Sequence, residues 1–237
     1  MSENDFQLNV SRFLSLDVKP KIIFLCTPNN PTGNLLSRES ILRVAEANPG
    51  SVIAIDEAYI DFSLEAGNLD LIDRLDNVIV LRTISKAYGA AGLRFGYGIG
   101  NEKLIAFMKN VIAPYPISSA CIPFLERILR DDDDLERNML IERLNHQKQI
   151  LRIAFEKMSF IKAVYTSDAN FILIKVVDAT DLYEKLKQLG IIIRNRTDEP
   201  MLDNCVRISI GSEEENQRLL SAFENYGKEI FESGKKQ

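Results

Sequence analysis

Histidine is almost missing from this chain. His146 is the only one in 237 residues, and it lies between Asn145 and Gln147 in a helical pattern where a solvent-facing side chain is expected. That placement leaves no Ser-His-Asp or Cys-His nucleophile. Cysteine is scarce as well: Cys26, Cys121 and Cys205 are an odd number without a C-x-x-C spacing, so neither a disulfide framework nor a metal site is indicated. Cys26 and Cys205 fall in apolar, strand-like runs and are expected to be buried, inert thiols. No basic run occurs, and a net charge of −5 with a pI near 5.2 argues against a nucleic-acid partner. No apolar run approaches the roughly 20 residues that span a bilayer. The opening MSENDFQLNVSRF lacks the basic flank and apolar core of a signal peptide. Internal repeats and low-complexity segments are also lacking. These absences together predict a soluble protein of a reducing, cytoplasmic compartment, with no nucleic-acid or membrane partner.

What is present is ordinary globular material, 46% hydrophobic and 27% charged, enough for one large domain or one and a half. In the first hundred residues KIIFLC (21–26), SVIAID (51–56), NVIVLRT (77–83) and FGYGIG (95–100) are short and continuously apolar. Such runs suit strands covered on both faces, as in a mainly parallel sheet. Between the first two, SRESILRVAEA (37–47) has Ser37 as an N-cap, apolar residues at helical spacing and Pro49-Gly50 as a stop. The β-α-β alternation predicts an α/β large domain over residues 1–134. The pattern then turns helical through NEKLIAFMKNVI, CIPFLERILR and a long amphipathic stretch at 135–158, with the four aspartates at 131–134 read as a solvated loop leading into it. Beyond lie three further strand-like runs, ANFILIKV (169–176), GIIIRN (190–195) and CVRISIG (205–211), with helices at 178–190 and 212–231. Residues 135–237 are therefore expected to form a connecting helix and a small α+β domain.

Three stretches carry chemistry. CTPNNPTG (26–33) follows an apolar strand and reads as a rigid turn ending at Gly33. Strand ends in α/β sheets are also where ligands bind, and Asn30 would offer an amide there. DEAYIDF (56–62) places Asp56 where a strand leaves the core, either as a structural carboxylate or as one holding a positive charge on a ligand, with the phenol of Tyr59 nearby. RTISKAYGAAGLR (82–94) places Lys86 just after a strand ending at Thr83, beside Ser85. A partly buried lysine is the usual Schiff-base nucleophile. Across a turn made of Gly89, Ala90, Ala91 and Gly92, Arg94 could fork onto a phosphate together with the hydroxyls of Thr83 and Ser85. The small residues would let the backbone pass close beside a bound group. An amide, a carboxylate, a phenol, a lysine and an arginine at successive strand ends are the equipment that pyridoxal 5′-phosphate requires.

PNNPTG (28–33), IDEAYIDF (55–62), TISKAYGAAGLRFGY (83–97), SDANFILIKV (167–176), IIIRN (191–195) and CVRISIG (205–211) resemble the fold-type-I, class II pyridoxal-phosphate aminotransferases. Within these, the S-x-ANF stretch and the spacing of two arginines resemble the histidinol-phosphate aminotransferases. The likeness runs from about residue 5 to residue 231. It implies that Lys86 carries the cofactor and moves the proton at the substrate α-carbon, that Asp56 pairs with the pyridinium nitrogen, and that Asn30 and Tyr59 bond the ring's phenolic oxygen. It further implies that Thr83, Ser85 and Arg94 hold the cofactor phosphate, Arg207 the α-carboxylate of glutamate and Arg194 the phosphate of histidinol phosphate. The last two also read as strand-end arginines with surface partners. The implied activity is ping-pong exchange of an amino group between histidinol phosphate and 2-oxoglutarate in histidine biosynthesis, by a homodimer without a metal. Family members have a long portion before the strand that begins here at Lys21, with a covering arm, a glycine-containing phosphate loop, a ring-stacking aromatic and a tyrosine for the partner's site. No counterpart of these is found in this sequence, so an uncovered sheet edge and apolar face are expected. A related aromatic aminotransferase, a threonine-phosphate decarboxylase and a catalytically silent chain remain open readings.

Overall fold

The computed structural model describes residues 6–17, 19–130 and 134–234. By internal contacts the chain divides into two compact units. One holds the residues up to Asn29 together with Leu35–Met139, and the other holds Asn30–Asn34 together with the residues from Leu140 onward.

The first unit is built on a sheet of β1 (Ile22–Cys26), β2 (Val52–Asp56), β3 (Val78–Thr83) and β4 (Gly96–Gly100), in that spatial order. β1–β2 and β2–β3 are parallel and β3–β4 is antiparallel, so the expected mainly parallel sheet is present. A short α1 (Val10–Leu14), which carried no sequence signal, precedes it. α2 (Arg38–Ala47) starts where expected: the Ser37 side chain accepts a hydrogen bond from the Ser40 N–H, satisfying one of the helix's orphan donors. Ile41, Val44 and Ala45 of α2 pack on Ile23, Leu25, Ile53, Ile55, Val78 and Val80 to form the core of this unit. α3 (Glu102–Val111), capped by Asn101, and α4 (Ile122–Arg130) follow. α5 (Asp134–Phe155) supplies residues to both units. Of the four-aspartate run, Asp134 opens α5 and 131–133 lie outside the described residues.

Burial on both faces holds only for the central strands. Ile53, Ala54 and Ile55 of β2 and Val78, Ile79 and Val80 of β3 are all buried. In β1, by contrast, Ile23 and Leu25 are buried while Ile22 and Phe24 are 53% and 67% exposed. Tyr97 and Ile99 of β4 are exposed as well. The apolar patterning of the outer strands thus exceeds what the described residues cover, matching the uncovered edge and face expected from the sequence.

The second unit is an antiparallel sheet of β5 (Ile161–Val164), β6 (Phe171–Val176), β8 (Cys205–Ser209) and β7 (Arg194–Asn195), in that order. α6 (Ala179–Gln188) is capped by Asp178, whose Oδ1 accepts from the N–H groups of Thr180 and Asp181 at 3.0 and 2.9 Å. α7 (Glu213–Gly234) closes the chain. The core is aromatic at its centre: Phe155 and Phe223 rings lie 5.1 Å apart, and Tyr226 meets Phe160 edge-on at 5.1 Å. The strand expected over 190–195 shrinks to the two residues of β7. Gly190, at φ +73, turns the chain so that its own N–H and that of Ile191 bond the α6 carbonyls of Lys187 and Leu186 instead of a neighbouring strand. β5 is a strand that the sequence did not signal.

This asymmetry of burial gives a direct test. Ile55→Ala, within the covered core, should cost about 3 kcal/mol of stability in denaturant titration, whereas Phe24→Ala should change it by less than about 1 kcal/mol. Equal costs would mean that the Phe24 face is covered in solution.

Candidate active site

In the first unit the site residues sit at the carboxyl ends of parallel strands, where side chains leave the sheet for solvent. Asp56 is the last residue of β2, beside Cys26, its register partner at the end of β1. Its Oδ1 accepts from the Ala58 N–H at 3.0 Å, and the Cys26 Sγ lies 3.7 Å from Oδ2. Both carboxylate oxygens therefore have fixed neighbours. Burial, and then the Asp56 charge, push the Cys26 thiol up to about 11. Cys26 is half-buried, less enclosed than expected, while Cys205 is buried.

Immediately after Asp56, Glu57 turns inward, its side chain 0% exposed. Oε2 accepts from Nε and Nη2 of Arg82 at 3.0 and 2.8 Å, and Oε1 accepts from the backbone N–H and Nδ2 of Asn68 at 2.6 and 3.0 Å. The Glu57 N–H also bonds the Leu81 carbonyl at 2.9 Å. This buried pair clamps the ends of β2 and β3, and so the positions of Asp56 and Thr83. The sequence carried an unread signal for it: Arg82 is a charge inside the apolar run NVIVLRT.

Thr83 ends β3. Its hydroxyl donates to the Phe95 carbonyl at 2.9 Å, its oxygen accepts from the Ser85 N–H at 3.1 Å, and it lies 2.8 Å from the Ser85 hydroxyl. The chain then folds into a turn closed by the Gly89 N–H on the Lys86 carbonyl and the Ala90 N–H on the Ile84 carbonyl. Gly89 adopts φ +62, and a side chain at Gly89 or Gly92 would meet nothing within 4 Å. Gly89 and Gly92 therefore face space that none of the described residues fills. Lys86 is exposed, not partly buried as expected, although Arg137 lies over the ring of Tyr88 in the same turn at 4.5 Å. Its Nζ lies 5.2 Å from the centre of the Tyr59 ring, and Tyr59 itself is buried. Arg94 follows in the left-handed region at φ 54, ψ 35, a conformation that costs a non-glycine residue about 1 kcal/mol. It is exposed, and its Nη1 donates to the Ala91 carbonyl at 3.2 Å.

The remaining candidates belong to the second unit. Arg207 of β8 lies over the Phe171 ring at 5.0 Å, and its Nη1 donates to Oδ1 of Asn30 at 2.7 Å. Gly33 closes the Asn30 turn at φ +83; a Cβ there would meet the Ser167 hydroxyl at 2.5 Å, so only glycine fits. Arg194, exposed on β7, is the direct register partner of Arg207. Directly opposed residues of an antiparallel pair share a face, and two cations in that position repel unless an anion lies between them. The structure thus gathers Asp56, Tyr59, Thr83, Ser85, Lys86 and Arg94 within one unit, and Asn30, Arg194 and Arg207 within the other. His146 is exposed on α5, and no group of metal-ligating side chains occurs among the described residues.

The mainly parallel sheet with helices following its strands is the architecture of the fold-type-I transferases, and the comparisons agree. Residues 1–223 match the family model for aminotransferase class I and II. The chain is 40% identical over 217 residues to the histidinol-phosphate aminotransferase of Flavobacterium johnsoniae, covering 91% of this chain and 61% of that protein. The solved structure of the histidinol-phosphate aminotransferase from Clostridium acetobutylicum superposes with a TM-score of 0.86 at 26% identity, over 95% of this chain and 69% of that one. The enzyme of the same name from Sinorhizobium meliloti, solved with pyridoxal-5′-phosphate, shares the fold with a TM-score of 0.79 at 23% identity, over 89% of this chain and 58% of that one. The chain belongs to the class I and II aminotransferases. It spans about three-fifths of the length of the F. johnsoniae protein.

Two outcomes follow from this geometry. Alkylation of Cys26 by iodoacetamide should be slow at neutral pH and rise only as the pH approaches about 11, because the thiolate is the reacting form. Asp56→Asn removes the repelling charge and should move that rise to lower pH; an unmoved profile would show that Asp56 does not act on the thiol. Arg82→Met leaves the Glu57 carboxylate buried without its cation, and should cost about 3 kcal/mol in chemical denaturation. A loss below about 1 kcal/mol would place the pair among weak surface bridges.

Proposed function

We propose that this chain carries the catalytic lysine and the substrate-binding arginines of a pyridoxal-phosphate-dependent aminotransferase that exchanges an amino group between L-histidinol phosphate and 2-oxoglutarate in histidine biosynthesis. The observation that carries the reading is the pair Arg194 and Arg207, directly opposed across β7 and β8. One cationic edge carrying two guanidinium groups suits an enzyme whose alternating substrates carry a carboxylate and a phosphate. The cofactor-binding large domain would comprise residues 1–134 and the small domain residues 135–237; the compact units depart from these bounds, the second holding Asn30–Asn34 and the first running to Met139.

The residues present fit the cofactor. Asp56, with both oxygens held, would face the protonated ring nitrogen, and Thr83, Ser85 and Arg94 would hold the phosphate beside the open space at Gly89 and Gly92. When bound, pyridoxal 5′-phosphate draws electrons away from the substrate α-carbon and so acidifies its proton. Lys86, at the tip of its turn, would take that proton and return it at the other end of the exchange. The Asn30 amide accepts through Oδ1 from Arg207, which leaves Nδ2 as the donor it would present to the ring's phenolic oxygen, alongside the Tyr59 hydroxyl. Arg207, with its planar guanidinium, would fork onto a carboxylate. Arg194 would meet the substrate phosphate. A homodimeric, cytoplasmic enzyme is the accompanying reading; no helix among the described residues is long and apolar enough to cross a membrane.

Adding pyridoxal phosphate to the 237-residue chain should give a yellow band that borohydride fixes at Lys86 and that Lys86→Ala abolishes. Turnover of histidinol phosphate with 2-oxoglutarate, above that of phenylalanine or phosphothreonine, should follow. Labelling scattered over surface lysines would refute cofactor capture by this chain, and preference for phosphothreonine or phenylalanine would reassign its substrate.

A further inference from the structure

Lys148 is a charge in the wrong place. On α5 it continues the apolar series Leu144, Leu151 and Phe155 at helical spacing, and it is only 6% exposed. Burial, opposed by the nearby Asp168 carboxylate, holds its ammonium below the usual lysine range. An apolar residue there would avoid that desolvation, so the ammonium is expected to serve something its donors reach. Its Nζ donates at 2.9 Å to the carbonyl of Ala169, a residue 0% exposed.

That carbonyl belongs to the turn between β5 and β6, and the turn meets the Gly33 end of the Asn30 turn and supplies the Phe171 ring beneath Arg207. The Asp168 N–H donates to the Gly33 carbonyl at 2.8 Å, at the close of the Asn30 turn. The Ser167 hydroxyl, which donates to the Phe171 carbonyl at 2.5 Å and accepts from the Ala169 N–H at 3.2 Å, occupies the space left by the missing Gly33 side chain. The Asn170 carbonyl accepts from the Ile210 N–H at 3.0 Å, tying the turn to the end of β8. Phe171 then supplies the ring under Arg207, which in turn bonds Asn30. One buried ammonium thus anchors the segment that sets both partners of the Arg207–Asn30 bond.

We infer that Lys148 is a positioning residue for the carboxylate-binding edge: through the Ala169 carbonyl it fixes the Ser167–Phe171 turn, and through that turn the orientation of Asn30 and Arg207. The assignment rests on the proposed role of those two residues. Lys148→Met preserves length and removes the donors; Lys148→Arg keeps them. By hydrogen exchange and side-chain NMR of the 237-residue chain, Lys148→Met should exchange the Asp168 amide roughly tenfold faster, the factor for one lost hydrogen bond, and should shift the Asn30 amide and Arg207 Nε–H signals. Lys148→Arg should restore all three, and the Leu182 amide in α6 should keep its rate throughout. Native Asn30 and Arg207 signals in Lys148→Met, with all amides accelerated alike, would overturn the inference and leave Lys148 a stability residue. Should Lys148→Met fail to fold, Lys148→Gln, whose shorter stem draws its amide out of reach of the Ala169 carbonyl, is read in the same way: displaced signals support the inference and native ones refute it. None of these readouts needs cofactor or turnover, so a chain that captures no cofactor at Lys86 would refute the proposed function and leave this result standing.

Discussion

The first unit depends on one desolvated carboxylate. Glu57 is removed from water at the end of β2 and repaid by four hydrogen bonds, two from the Arg82 guanidinium and two from Asn68. Because Arg82 belongs to β3, the pair joins the ends of two parallel strands that otherwise share only slanted backbone bonds. Asp56 stands one residue before Glu57, and Thr83 one residue after Arg82. Their separation, and the start of the Lys86 turn, are therefore set by a buried charge pair that need not touch any ligand.

The second unit solves a similar problem with the opposite sign. A buried ammonium, Lys148, satisfies a buried carbonyl, and the turn it holds meets a glycine whose absent side chain is the space that Ser167 fills. In both units a charge that costs free energy to bury is retained where it sets backbone geometry next to a candidate site residue. Backbone strain is also found at the site, at Arg94, where a left-handed arginine redirects the chain from its turn into β4.

The outer strands show the limit of apolar patterning as a guide. Ile22 and Phe24 alternate with Ile23 and Leu25 as though both faces were to be covered, yet only one is. Pattern records what a strand is suited to pack against, and the described residues supply only part of it. The same holds at Lys86: its place at a strand end suits an enclosed amine, but enclosure needs a second surface over the turn.

Much of the protein was legible without coordinates. The four strands of the first sheet, α2 with its Ser37 cap, α6 and α7 follow from apolar period and capping chemistry, which are local properties of the chain. So do the residue types at the strand ends, since Asn30, Asp56, Lys86 and Arg94 are polar groups placed where apolar runs stop. What only tertiary structure decided is which of them meet. The Arg207–Asn30 bond joins residues 177 positions apart, Glu57 finds Arg82 across a strand pairing, and Lys148 is buried because its helix face meets the β5–β6 turn. The shortened β7 was decided the same way, by Gly190 turning backbone donors onto the end of α6. Sequence pattern determines which residues prefer to leave water; the partners that a buried charge or a backbone donor finds depend on contacts that no local window contains.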